Sequence, residues 1–466
     1  MSLELDNRPI SVPPPHAHSV SLADRLAAGK ARREAIARSD HRVWKRPANR
    51  GDPIAMLRAG DVGRVPELIP IRYGRMLVSP FTFYRGTAGI MAADLATTPA
   101  TGLRVQACGD CHLMNFGGFA TPERNIIFDI NDFDETLPAP WEWDIKRLVA
   151  SFVLAGRNIG VSDDNARGAA IGCARSYRKQ LAVYAEMHPL QVWYARITVE
   201  DMMDDLPPKG RKRLQARVDS ARAKSGSEVD FPKLADVVSG KIGIRDAPPL
   251  IFHPDISRQP DFMARVEQVL TEYRLTLPED RRALLNQYRV LDAALKVVGV
   301  GSVGRRCWIV LLMSASNEPL FLQVKEAVAS VLEPFAGESQ YPHHGERVVM
   351  GQRLTQPSSD MFLGWSSGRD GTHYYFRQLR DAKIKPLVET FDADVLDYYA
   401  KACGRVLARA HAKAGDAAEV VGYLGSSDQF DEAMGDFAVA YADQAERDHG
   451  VLKSAVRKGE IEVYTE

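Results

Sequence analysis

The chain reads as an α+β protein of two lobes, and three observations lead there. Helix-period and strand-like stretches come in separate blocks rather than alternating, which is the α+β pattern and not the α/β one. The polar residues suited to chemistry sit in two strand-and-loop blocks, near 103–135 and near 295–327, far apart in sequence. The length of 466 residues, with 45% hydrophobic and 26% charged, is enough to bury a sizeable core without disulfide or metal staples.

Charge and cysteine content narrow the class. Sixty Lys+Arg against sixty Asp+Glu give zero net charge, which argues against binding nucleic acid by bulk attraction. Five cysteines, odd and sparse, make no disulfide framework and point to a reducing compartment. The opening MSLELDNRPISVPPPHAHSV lacks a basic segment followed by an apolar one, and no run approaches the roughly 18 apolar residues of a membrane helix. A soluble, cytoplasmic protein is expected, with no membrane and no nucleic-acid partner.

Residues 1–20 are Pro/His-rich and irregular. LADRLAAGKARREAIARSD has a narrow apolar stripe and reads as a surface helix ending near Asp40. From Leu68 an apolar segment carries Arg72, Arg75 and Arg85. LRVQAC is a short strand; NFGGFA and NIIFDIND read as paired strands joined by Thr121-Pro122-Glu123-Arg124. Residues 144–290 read as mostly helical, with a basic run, PPKGRKRLQARVDSARAKSGSE, taken as a solvated helix face. Strands return at LKVVGVGSVG, RCWIVLLMS and LFLQVKEA, then a helix within 344–362, a strand at HYYFRQLRD, and helices from Asp392.

The densest chemistry is Cys108-Gly-Asp-Cys-His-Leu-Met-Asn115 followed by IIFDINDFDE. Carboxylates in or beside an apolar strand are costly unless a cation compensates them, and oxygen ligands of this kind suit Mg²⁺. Cys108-x-x-Cys111-His112 matches the c-type haem pattern, but attachment needs an exported chain. A metal–thiolate site lacks a second cysteine pair. Asp110-x-His112 also opens a two-metal phosphoesterase motif, whose later loop is missing, His343-His344 being the one later histidine pair. Phosphoryl transfer asks for Asp-x-x-x-x-Asn, then a further metal-binding Asp on a hairpin. Asp110 and Asn115 have that spacing, and Asp129 or Asp132 supplies the second ligand. With His112, Gly-Asp-x-His-x-x-Asn resembles the variant of aminoglycoside- and choline-kinase-like enzymes.

A kinase also needs glycines over the phosphates between two strands, then a strand lysine. Gly299-Val-Gly301-Ser302-Val-Gly304 is followed by RRCWIVLLM, which reads as strand rather than the helix a dinucleotide fold requires. Lys325 alternates with Leu322 and Val324 in the next strand. Its glutamate partner is Glu346 or Glu326. The glycines and lysine follow the catalytic-loop motif instead of preceding it, so the expected architecture is a two-lobed, protein-kinase-like fold, circularly permuted. DYYAKACGRVLARAHAK resembles the helix that precedes the catalytic loop in that fold.

The blocks RMLVSPFTFYRG, CGDCHLMNFG, IFDINDFDET, PAPWEWDIKRLVAS, GVGSVGRRCWIVLL, LQVKEAVAS and ERVVMGQRLTQPSSDMFLGW together resemble the bacterial domain of unknown function 2252 family, from about Arg72 to Leu452. Arg72, Arg75 and Arg85 then stand as donors for phosphate or acidic substrate groups, with pairing to the chain's own acids as the alternative. Asp144, Lys146 and Arg147 read as structural. Arg377 and Gln378 either line the cleft or face solvent. The expected organisation is an N-terminal extension (1–65), a catalytic-loop part (66–155), a large helical insertion (156–290), a β part with the glycines and Lys325 (291–390) and closing helices (391–466).

The expected function is ATP- and Mg²⁺-dependent phosphoryl transfer to an unknown acceptor, a small molecule rather than a protein. In it Asp110 and His112 are catalytic, and Asn115 with Asp129 or Asp132 holds the metal. Gly299, Gly301, Ser302, Gly304, Lys325 and Glu346 hold the nucleotide. A metal-dependent phosphoesterase and a nucleotide-binding module with little turnover remain the alternatives, and oligomeric state stays open.

Overall fold

The structure is a computed structural model. It describes residues 20–464 apart from 205, 207, 224–230, 232–233, 239–240 and 380–381. The Pro/His-rich opening and part of the basic run after Ala223 lie outside the described residues. The chain is α+β.

The helical lobe comes from both ends of the sequence. Its first helices are α1 (Leu22–Ala31), α2 (Pro53–Ala59), α3 (Ile69–Leu77), α4 (Pro80–Arg85) and α5 (Ala88–Leu95). Ser21, Asp52 and Ser79 side chains cap α1, α2 and α4, each satisfying an amide the first turn leaves unpaired. Four short strands follow: β1 (Arg104–Ala107), β2 (Phe116–Ala120), β3 (Ile126–Ile130) and β4 (Leu137–Pro140). They pair antiparallel as β1–β4 and β2–β3, and Phe116 sits opposite Ile130.

Next come α6 (Trp141–Asn158), α7 (Asp163–Glu186), α8 (Pro189–Tyr194), α9 (Val199–Asp204) and α10 (Pro208–Ala223). Residues 156–290, expected to be mostly helical, are not helical throughout. They also hold β5 (Ala235–Val238), β6 (Lys241–Ile244) and β7 (Ile251–Phe252), then α11 (Phe262–Leu275) and α12 (Glu279–Leu285). These strands are two to four residues long, too short for a period-2 pattern to register.

The sheet lobe continues with β8 (Tyr288–Lys296), β9 (Cys307–Ser314), β10 (Pro319–Glu326), α13 (Glu333–Ala336), α14 (His344–Thr355), β11 (Gly364–Ser367) and β12 (His373–Gln378). Six strands form one antiparallel sheet in the order β11-β12-β10-β9-β8-β7. One face, with Val310, Leu312, Leu322 and Val324, packs on Phe262, Leu270 and Tyr273 of α11. Alternation turns Gln323 and Lys325 to the other face, where Lys325 lies opposite Cys307 on β9 and Tyr375 on β12.

The chain closes with α15 (Ala393–Lys413), α16 (Ala417–Leu424) and α17 (Gln429–Arg457). Buried side chains of α6, α7, α15 and α17 share one core with β1–β4. The C-terminal end of α15 meets the strand that leads to the acidic loop: Gln106 N–H donates to Ala414 O at 2.9 Å. No helix among the described residues is long and apolar enough to cross a membrane.

Asp129 belongs to this core. Its carboxylate pairs with Arg409 of α15 at 2.9 Å, with the two side chains 2% and 1% exposed, and Arg409 also donates to Thr355 O at 2.8 Å. Removing one partner of a buried pair strands the other charge. Asp129→Ala should therefore lower the unfolding free energy by about 3–5 kcal/mol in urea titrations; a loss below about 1 kcal/mol, the range of an exposed pair, would contradict this placement.

Candidate functional site

One cleft of about 1400 Å³ runs between the sheet and the helical lobe, lined by Asp110, His112, Asn115, Asp132, Gly299, Gly301, Ser302 and Lys325. The acids and the glycine turn are far apart in sequence and share this cleft because three sets of contacts hold its walls.

The first wall is the loop after β1. Asp144, Arg147 and Ser151 lie on one face of α6, at helical spacing. Asp144 accepts from the backbone N–H groups of Cys108 and Gly109 at 2.8 and 3.0 Å. Ser151 Oγ accepts from Leu113 N–H at 3.0 Å. Arg147 grips Asp110 Oδ1 through Nε at 2.7 Å and Nη2 at 2.5 Å, leaving Oδ2 toward His112, whose Nε2 is 3.7 Å away. Gly109 has φ +83°, and a Cβ there would sit 2.3 Å from Glu135 O, so the loop needs glycine at this position. Asn115 Nδ2 donates to Asp110 O at 2.7 Å. His112 is 4% exposed; burial, then the charges of Arg85 and Arg147, push its pKa well below the usual imidazole value, so it is neutral.

The second wall is the sheet face. Lys325 donates to Asp134 and lies 3.7 Å from Asp132. Tyr375 OH donates to Asp134 Oδ1 at 2.5 Å and Ser302 Oγ to Oδ2 at 3.2 Å. Burial alone raises Asp134, but the Lys325 charge and the hydrogen bonds from Lys325 and Tyr375 outweigh it and hold the carboxyl at about 2. Asp132 moves up, through burial and the neighbouring charge of Asp134. Arg377 donates to Gln323 at 2.8 Å and Asn131 O at 3.2 Å and lines the cleft, whereas Gln378 does not.

The third set fixes the glycine turn. Arg64 donates to Val303 O, and to Gly60 O at 2.8 Å; Arg75 donates to Val298 O at 2.5 Å. A Cβ on Gly299 would meet nothing within 4 Å, so that backbone is open to a ligand.

Several expectations change here. Asp129 is removed from the metal set, since it faces Arg409 in the core. Glu346 does not pair with Lys325: the lysine's carboxylate partners are Asp134 and Asp132, and Glu326 pairs with Arg306 at 3.3 Å and Arg305 at 3.8 Å. The neighbour on α14 that reaches the acidic hairpin is Arg347, donating to Asp134 O and Thr136 O at 2.8 and 2.6 Å. Gly304 lies outside the cleft lining; with φ +89° it turns the chain into β9, and a Cβ would press on Arg64 at 3.0 Å. Arg72 is not a free donor, being paired with Asp61 at 2.8 Å.

Asp144 and Lys146 are structural in their contacts, Lys146 donating to Thr98 Oγ1 at 2.8 Å, but Arg147 acts on Asp110 directly. Asp134 is in the acidic run that the sequence shows, yet the spacing argument selects its neighbours. The Tyr375–Arg377 alternation on β12 was the one signal for Tyr375, and Arg64 had none.

Asp132 and the Asn115 amide oxygen, both in the cleft lining, are donors of the kind Mg²⁺ takes. Asp132, raised by burial and by the charge of Asp134, is the carboxylate a cation would relieve, while the Asp134 oxygens are already taken by Lys325, Tyr375 and Ser302. The tightest His/Cys/Asp/Glu cluster among the described residues is elsewhere: Cys108, Cys111 and Asp144, with ligand atoms within 4.8 Å. Asp144 is already taken by two amides, and burial pushes the Cys111 thiol up to about 12, so this cluster is a packed core feature.

Residues 64–455 match the family described as "Uncharacterized protein conserved in bacteria (DUF2252)". The chain belongs to the DUF2252 family. No curated protein and no solved structure matches it significantly. The match in this DUF2252 chain starts at Arg64, so it takes in both arginines that grip the glycine turn.

Because Asp134 is depressed, its contribution is present above the ordinary carboxylate pKa of about 4 and is lost as pH falls through about 2. The stability gap between the wild type and Asp134→Asn should be widest above pH ~4 and narrow as the pH falls toward 2, in denaturant midpoints. A gap independent of pH would contradict the pairing.

Proposed function

We propose that the protein is an ATP- and Mg²⁺-dependent phosphotransferase with a protein-kinase-like fold in circularly permuted order, acting on a small-molecule acceptor. The observation that carries this reading is that Lys325, the open glycine turn and the Asp110–Asn115 loop line a single cleft. The strand order supports it. Read from β8, the strands β8-β9-β10 run consecutively with the glycine turn between the first two and the lysine on the third. Then α14, β11 and β12 follow, and β12 returns beside β10. The contact of α15 with β1 supports the permutation, since it brings the late helix to the start of the acidic loop.

In this reading Lys325 pairs with the nucleotide's phosphates, and the backbone at Gly299 and Gly301 lies over them. Ile251, Val297 and Leu379 offer an apolar wall to the base. Asp132 and Asn115, with Asp134 beside them, hold Mg²⁺, which supplies charge neutralisation to the phosphoryl oxygens. Asp110 Oδ2, left open by the Arg147 grip on Oδ1, accepts the acceptor hydroxyl's hydrogen bond and positions it. Such a site works by placement and fixed charge, with no covalent intermediate. The phosphoesterase alternative loses ground because His343 and His344 are outside the cleft lining.

Thermal-shift and calorimetric titrations with ATP, with and without Mg²⁺, should show Mg²⁺-dependent binding. Lys325→Met should weaken it at least 10-fold. Asp110→Asn should abolish transfer from γ-labelled ATP in a metabolite panel, by about 10²-fold or more, while leaving nucleotide affinity within a few-fold. Absence of nucleotide binding under every condition would overturn the reading.

A further inference from the structure

Several acids at and behind the cleft walls are already answered by cations of the chain. Asp110 is neutralised by Arg147, Asp61 by Arg72, Glu326 by Arg305 and Arg306, and Asp134 by Lys325. Arg85, the last residue of α4, stands apart. Among the described residues it forms no ion pair and no side-chain hydrogen bond; its guanidinium lies over the Phe81 ring at 6.0 Å, and its Nε is buried without a partner. Asp110 and Glu389 act on it electrostatically, but neither comes within ion-pair distance. A half-buried guanidinium on the cleft wall, with its Nε buried and unpartnered, is open to an anion from outside the chain.

Two further features fix where that anion sits. His112 lines the same cleft, is 4% exposed, and has Nδ1 buried with no partner. With the proton on Nδ1, the ring offers that unpartnered N–H to an anion. The carbonyl of Arg85 lies 3.4 Å from where a Gly301 Cβ would be, so the α4 end borders the glycine turn on the helical side, while Lys325 occupies the sheet side. Arg85 and His112 therefore flank Asp110, where the acceptor hydroxyl belongs. Arg147, by neutralising Asp110, lets an anion approach that carboxylate.

We infer that the acceptor is a small hydroxyl compound bearing a phosphate or carboxylate group, and that Arg85 with His112 receives that group beside Asp110. The word acceptor rests on the phosphotransfer reading; the anion site does not.

Titration calorimetry with inorganic phosphate, glycerol 3-phosphate, glycerate and neutral glycerol tests this, alongside Mg²⁺·ATP. The wild type should bind phosphate and at least one of the two anionic glycerol derivatives, and glycerol at least 10-fold more weakly; glycerol 3-phosphate against glycerate tells which anion is preferred. Arg85→Gln should weaken the anions at least 10-fold and leave Mg²⁺·ATP within two-fold. Lys325→Met should weaken Mg²⁺·ATP at least 10-fold. Arg85→Lys keeps the charge but not the planar fork and should fall between, which keeps the test alive if Arg85→Gln does not fold. Anion binding unchanged in the Arg85 variants, glycerol binding as well as its phosphate, or no anion binding to the wild type would each overturn the inference. If Arg85-dependent anion binding is seen and ATP binding is not, the anion site stands and the phosphotransfer reading falls.

Discussion

An ammonium group buried on a sheet face must find a carboxylate, and here it finds one in the other lobe. Lys325, 5% exposed, donates to Asp134 on the hairpin that follows β3. Ser302 from the glycine turn and Tyr375 from β12 converge on the same carboxylate. A buried pair of this kind adds little net stability, but losing one partner is expensive, so the two lobes are held in register even though 191 residues separate the pair in sequence. The cleft is the space left between walls that this pair holds in place.

The remaining contacts make that space specific. One face of α6 positions the Asp110 loop through Asp144, Arg147 and Ser151. From the other side, Tyr399 OH reaches Leu113 O and Phe116 O at 3.0 Å each. The glycine turn, usually a loose element, is tied by two arginine side chains to the backbone carbonyls of Val298 and Val303. Side chains supported this way keep their geometry without help from a ligand, which is what positioning chemistry requires. Arg217 of α10 donates to Lys385 O, so α10 borders the cleft and the segment after β12.

Much of this was legible in the chain. Strand alternation placed Lys325, and the Asp-x-x-x-x-Asn spacing placed Asp110 and Asn115, because both follow local periodicities. What stayed hidden depends on long-range pairing. Asp129 and Asp132 are three apart in one acidic run, and only the β2–β3 register and the approach of Arg409 turn the first into the core. Spacing leaves Glu346 and Glu326 open as partners of Lys325, and neither is one; α14 presents Arg347 to the hairpin. The strands within 235–252 were too short to announce themselves. The arginines of the 64–85 segment look alike in sequence and differ in structure: Arg64 and Arg75 hold backbone, Arg72 holds Asp61, and Arg85 alone faces the cleft without an ion-pair partner among the described residues.

The most direct test of the central claim is a crystal structure with Mg²⁺ and a non-hydrolysable ATP analogue. The account predicts the triphosphate between the glycine turn and the Asp110 loop, with Lys325 on the phosphates and the metal bound by Asp132 and Asn115. A nucleotide bound elsewhere, or in this cleft with no contact to Lys325, would contradict it.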